Sequence, residues 1–273
     1  MKTRLLWSIL TAVGALCVSS APASAQWLDY PTKGIPRTPD GKPNLSAPAP
    51  RTPDGKPDLS GIWLGARWAN AGVPANSGVR EPVTNLNDLP FQPWAKELFE
   101  KHKASGGKDD PEARCLPQGV PKASTLPYPF EIVNTPGRIL MQYEMFYLRR
   151  QIYTDGRELP KEYTNPSWMG YSVGKWEGDE FVVDTSGFND EVWNISTQGQ
   201  PHSDAMHVYE RFRRKDFGHM EIEVTIDDTK AYTKPWKFGT IQYVLLPDTQ
   251  LLEFVCERNY DLEITFGKDQ PGR

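Results

Sequence analysis

From residue 130 onward, apolar and polar positions alternate in short runs separated by turn residues. Phe130–Thr135, Arg138–Glu144 and Phe146–Tyr153 follow one another closely, with Pro136-Gly137 between the first two and Asp155-Gly156 after the third. An alternation of period two puts every second side chain on one face of an extended strand. Met169–Thr185 reads as two strands joined at Glu177-Gly178-Asp179. A further hairpin has arms over Met206–Arg213 and His219–Ile226, around the turn Lys215-Asp216-Phe217-Gly218. Trp236–Leu245, the turn Pro247-Asp248 and Leu251–Glu257 complete the series, and Gly61-Ile62-Trp63 opens it.

The spacing predicts one good helix, Pro93–Ser105. Proline stands at its start, Trp94, Leu98 and Phe99 share a face, and Gly106-Gly107 ends it. His102 is expected on its polar, solvated side. Residues 66–92 and 106–129 read as irregular. Tight turns rather than helices link the strands, so the crossovers that a parallel sheet requires are missing. The chain is therefore expected to be mainly β, an antiparallel meander of about nine or ten strands closing into a barrel. A two-layer sandwich is the alternative.

The first 60 residues follow a different pattern. Lys2 and Arg4 precede the apolar run Leu5–Val18, and Ala23-Ser24-Ala25 has the small-x-small form of a cleavage site. This is the pattern of a bacterial secretory signal peptide, with residues 1–25 removed before Gln26. Leu16 before Cys17 argues against a lipid anchor there, and no other run is long and apolar enough to span a bilayer. Residues 26–60 form a proline-rich arm with an internal repeat, Arg37–Ser46 and Arg51–Ser60, each with a Pro-Asp-Gly turn. Two copies do not build a repeat fold, so the arm reads as a duplicated linker in extended or polyproline conformation. Residues 61–273 then form a single domain.

Charge and cysteines narrow the partners. The formal charge of −4 becomes −6 once Lys2 and Arg4 are removed. A mildly acidic, exported chain without a basic block is not built for nucleic acid. Cys115 and Cys256 remain in the mature chain, and an oxidising compartment makes a disulfide between them the expectation.

Chemistry-bearing residues concentrate near the second hairpin, which holds His202, His207 and His219. On the arm Met206–Arg213, Val208, Glu210 and Phe212 share one face with Met206. His207, Tyr209, Arg211 and Arg213 take the other. A carboxylate among apolar neighbours has a raised pKa unless a cation reaches it. Glu210 is thus either a general acid or base, or the partner of an arginine such as Arg149, Arg150 or Arg157. His202, Asp204, His207 and Glu210 form the candidate catalytic set, as proton-moving groups. The spacing His202-x-Asp204-x-x-His207 also admits a divalent metal, with Glu210 or His219 completing the site. Asp155, Arg157 and Asp179 occupy turn tips, the places that rim a barrel mouth. Tyr143, Tyr147, Trp168, Tyr171, Trp176 and Trp193 are mostly core candidates that also suit an aromatic-lined pocket. No nucleophile elbow, phosphate loop or dinucleotide fingerprint is present, so no cofactor is expected.

Asp58-Leu-Ser-Gly-Ile-Trp63 resembles the Gly-x-Trp signature that opens lipocalin barrels. Thr52–Trp63, Tyr153–Arg157 and Gly174–Thr185 resemble a group of uncharacterised exported bacterial proteins. These resemblances imply export and a lipocalin-like β-barrel, and carry over no catalytic residue. The arm and residues 66–129 have no counterpart in a minimal barrel. The expected function is a cofactor-independent acid/base enzyme, a lyase, isomerase or hydratase acting on a small apolar or aromatic molecule in the barrel cavity. The alternatives are a periplasmic or secreted small-ligand-binding protein without turnover and, more weakly, a metal-dependent hydrolase.

Overall fold

A computed structural model describes residues 31–69, 86–189, 193 and 195–256. The signal-peptide reading, together with most of the stretch 70–92 and the chain beyond Cys256, lies outside the described residues. Among those described, no helix is long and apolar enough to cross a membrane.

Nine strands close into one barrel. They are β1 (Gly61–Gly65), β2 (Phe130–Thr135), β3 (Arg138–Tyr143), β4 (Arg149–Tyr153), β5 (Tyr171–Glu177), β6 (Glu180–Ser186), β7 (His207–Arg214), β8 (His219–Asp227) and β9 (Trp236–Leu245). Neighbours in sequence are neighbours in space, and β1 closes the ring by pairing with β9. The helix Pro93–Ser105 forms, with Pro93 in the first turn and Gly106 left-handed at its end, but the residues it buries are Ala95 and Phe99, and Trp94 of the expected face is exposed, its indole N–H donating to Lys230 O.

One pair departs from the expected all-antiparallel order. β4 and β5 run parallel, with Ile152 beside Ser172. Parallel neighbours need a crossover, and residues 154–170 supply it without a helix. Two further differences matter for the site. The segment expected as the start of a strand at Phe146 is a 3-10 turn, Met145–Tyr147, with Phe146 and Tyr147 at φ of 55° and 50°. Leu251–Cys256 is not a strand; its backbone is held by Glu144 and Tyr147, with Leu252 N–H donating to Glu144 Oε2 at 2.8 Å.

The arm is not a run of extended chain. Each repeat closes on itself, Arg37 bridging to Pro43 and Arg51 to Pro57. In each, the arginine also grips a barrel turn. Arg37 pairs with Asp248 at 2.6 Å, and Arg51 pairs with Asp179 at 2.7 Å. The end of the first copy and the residue after it are clipped to the β7–β8 turn, where Gly218 N–H donates to Leu45 O and Phe217 N–H to Ala47 O, each at 2.7 Å. Arg51 and Asp179 are both exposed, so water and salt screen that pair and it contributes little. The repeat therefore docks by its backbone and its Leu45 and Leu59 contacts more than by charge.

The interior of the barrel is filled. Phe130, Phe181, Phe212, Phe238, Ile152 and Ile222 are each 1% exposed or less. Gly174 faces this core, and a Cβ there would run into Phe181 and Ile152. One end is closed by a short buried helix, Lys122–Thr125. Its Ser124 Oγ lies 3.0 Å from Tyr143 OH, and Tyr243 OH donates to Ser124 O at 2.9 Å. The other end is closed by Arg214, which lies over Trp63 with its guanidinium carbon 4.9 Å from the ring centroid. Its N–H groups donate to the carbonyls of Asp58, Ser60, Asp216 and Phe217. Burial lowers the Arg214 pKa to about 10, so it remains a cation at neutral pH.

Candidate functional site

Glu210 points inward from β7, as the alternation predicts, and a cation does reach it. Arg150 on β4 crosses the interior and pairs with both carboxylate oxygens, with Nη1 to Oε1 at 3.1 Å. Both side chains are 1% exposed. Arg150 also donates to Ser172 Oγ at 3.1 Å and Thr185 Oγ1 at 2.7 Å. Burial works against its charge, and the Glu210 carboxylate more than offsets that, so its pKa is raised. Of the two readings the strand pattern left open for Glu210, the geometry is that of the ion pair with an arginine.

The other members of the expected catalytic set are not brought to Glu210. His207 leaves β7 on the outer face, where Nδ1 is 3.0 Å from Asp184 Oδ1 and the ring stacks on Tyr209. Asp204 is exposed and paired with Lys230 at 2.6 Å. His202 is 8% exposed in the β6–β7 loop, beside Phe188, with Nδ1 3.1 Å from Ser203 O. His219 pairs with Asp216 at 2.7 Å on the β7–β8 turn. The physical reason is the pleat: residues 207 and 210 lie on opposite faces of a regular strand, and no bulge interrupts the β7 pairing. Among the described residues, no three His, Cys, Asp or Glu side chains converge as a metal site would require.

His207 and Asp184 remain an acid/base pair on the outer wall. The Asp184 hydrogen bond raises the His207 pKa above its ordinary 6.5, against a smaller opposing effect of burial, and Asp227 on the neighbouring strand adds to the rise. A raised folded-state pKa adds stability below pH 6.5 that is lost as pH rises through the raised value. Melting temperature measured across pH 5–9 is expected to show that loss in the wild type and not in Asp184→Asn. Parallel profiles for the two proteins would refute the assignment.

Two concavities among the described residues open on the outside of the barrel. One, of about 340 Å³, runs under the arm along Thr32–Ile35, Ser60–Ile62 and Arg214. The other, of about 470 Å³, lies over the parallel pair β4 and β5, and four aromatic side chains line it: Tyr147, Tyr153, Trp168 and Tyr171. Tyr153 and Tyr171 stack with ring centroids 5.1 Å apart. Arg157 covers this pair, its guanidinium carbon 3.8 Å from the Tyr153 centroid and its Nη1 donating to Tyr171 OH at 3.0 Å. Asp155 holds Arg157 there at 2.6 Å, and that pairing lowers the Asp155 pKa. Tyr147 stands on the opposite wall, accepting from Phe254 N–H at 2.9 Å. Its left-handed backbone is uncommon for a bulky residue and has to be held by its surroundings.

The cleft exists because the crossover returns the chain to the same end of the sheet. Gly170 completes that return at φ 66°, where a Cβ would meet Phe188 and the carbonyl of Ser186. The outward positions of β4, Arg149, Gln151 and Tyr153, then face the crossover residues Ser167–Gly170.

Of the expected ligand contacts, Tyr147 and Trp168 line the cleft, and Asp155 and Arg157 brace its aromatic pair. Tyr143 is buried inside the barrel against Ser124. Trp176 packs on Phe181. Trp193 stacks on His102 with centroids 4.1 Å apart, so His102 is partly covered and not on a solvated face; its Nδ1 lies 2.7 Å from Gly199 O. Asp179 serves the arm. Sequence reasoning missed Tyr153 and Arg149 as cleft residues. Their alternation on β4 was a usable signal, but the parallel neighbour that gives this face a function was not visible.

The disulfide Cys115–Cys256 is present, joining segments 141 residues apart in sequence. A scan against protein-family models and a search of curated proteins each find no match to this chain.

Proposed function

We propose that this is an exported small-molecule-binding protein that holds a flat organic ligand in the cleft over β4 and β5, without turnover. The observation that carries the reading is the convergence of Tyr147, Tyr153, Trp168 and Tyr171 on one concave surface of ligand size. Aromatic walls gather flat apolar surface and favour offset or edge contacts with another ring. The separation of His202, Asp204, His207 and Glu210 supports binding over acid/base turnover, because proton transfer needs its groups within reach of one substrate. Export is supported by the leader pattern and by the disulfide.

The test is a titration of the mature protein with 2-naphthol, followed by tryptophan fluorescence and calorimetry. Saturable binding at one site is expected, with the probe recovered unchanged. Trp168→Ala is expected to weaken it about three- to tenfold, the equivalent of one ring–ring contact. Unaltered affinity in Trp168→Ala, or no binding to the wild type, would sink the reading. Chemical conversion of the probe would restore the enzyme interpretation.

A further inference from the structure

The chemistry of the cleft wall identifies the class of ligand more closely. Two arginines contribute to the lining, Arg149 and Arg150, and no carboxylate does. That is a local positive concentration on a chain whose net charge is −4. The two arginines differ in what neutralises them. Arg150 turns inward and is matched by Glu210. Arg149 turns outward into solvent at the cleft, and among the described residues it has no carboxylate partner.

Arg157, at the other edge, is engaged by Asp155 and Tyr171. Arg149 is thus the cation of this surface whose fork of donors is open to a bound molecule. A guanidinium presents paired N–H groups that match the two oxygens of a carboxylate. The aromatic rings beside it match a planar ring. We infer that the cleft takes an aromatic carboxylate, with its ring against Trp168 and the Tyr153–Tyr171 pair and its anionic group on Arg149. The inference rests on the cleft being the binding site, and it adds the sign of the ligand's charge.

The experiment compares two probes of the same ring, 2-naphthoate and its neutral counterpart 2-naphthylmethanol, on wild type, Arg149→Gln and Trp168→Ala. At low salt 2-naphthoate is expected to bind about tenfold tighter than the alcohol, the size of one charge-assisted contact. Raising the salt to a few tenths molar is expected to shrink that advantage, since Arg149 is exposed and screened. Arg149→Gln is expected to abolish the advantage while leaving the alcohol's affinity within about twofold of wild type. Trp168→Ala is expected to weaken both probes alike. Equal affinity of the two probes for the wild type, or an advantage that survives Arg149→Gln, overturns the charge assignment and leaves the cleft standing. Indifference of both probes to Trp168→Ala overturns the cleft and this inference together.

Discussion

Replacing Glu210 with leucine is expected to destabilise the protein by about 3–5 kcal/mol, because it strands the buried Arg150 guanidinium without a counter-charge. Both side chains are 1% exposed, and the guanidinium draws its charge-matched contacts from this one carboxylate. Ser172 and Thr185 accept further hydrogen bonds from it, but hydroxyls do not neutralise a charge. Arg150→Met is expected to cost a similar amount by leaving Glu210 unpaired. The double variant Arg150→Met/Glu210→Leu is expected to recover most of either loss, since removing a buried pair together relieves both desolvation penalties. Urea denaturation of the four proteins measures this as a coupling energy. If the double variant is as unstable as the two singles added together, the pair does not act as one unit.

The second large effect is at the disulfide. Cys115→Ser/Cys256→Ser is expected to cost about 5 kcal/mol in the chain-entropy account, because the bond closes a loop of more than a hundred residues. A consequence for ligand binding accompanies it. Cys256 anchors the strap whose Phe254 N–H reaches Tyr147 and whose Leu252 N–H reaches Glu144. Phe254 also meets Tyr128 and Phe146 edge-on or tilted, at 5.3 and 5.2 Å. These contacts hold Phe146 and Tyr147 in their left-handed conformation at the cleft wall. Reduction of the wild type below its melting temperature is therefore expected to weaken the binding of aromatic probes, as is Tyr147→Ala, while the barrel stays folded. Binding that is unaffected by reduction would separate the strap from the cleft.

Much of the barrel was legible in the sequence because strand faces are set locally. The pleat assigns alternate residues to opposite faces whatever the neighbours are, so Val208, Glu210 and Phe212 went inward and His207, Tyr209 and Arg211 outward. Turn dipeptides bounded the strands for the same reason, and the helix over Pro93–Ser105 followed from its cap residues. Proximity along the chain misled where those faces were ignored. His202, Asp204, His207 and Glu210 are close in sequence, yet they end up on a loop, an exposed turn, an outer wall and an interior. The repeat Arg37–Ser46 and Arg51–Ser60 showed its turns but not its anchors, because Asp248 and Asp179 lie more than a hundred residues away.

Taken alone, the chain's pattern of residues determined most of the strands, their faces, the tight turns and the two cysteines available to pair. Tertiary structure alone decided that Arg150 and not Arg149 or Arg157 meets Glu210, that β4 and β5 run parallel, and that the concave aromatic surface is on the outer wall. The reason is that alternation depends on the geometry of one strand, whereas partners across a closed barrel depend on the order and register of all nine.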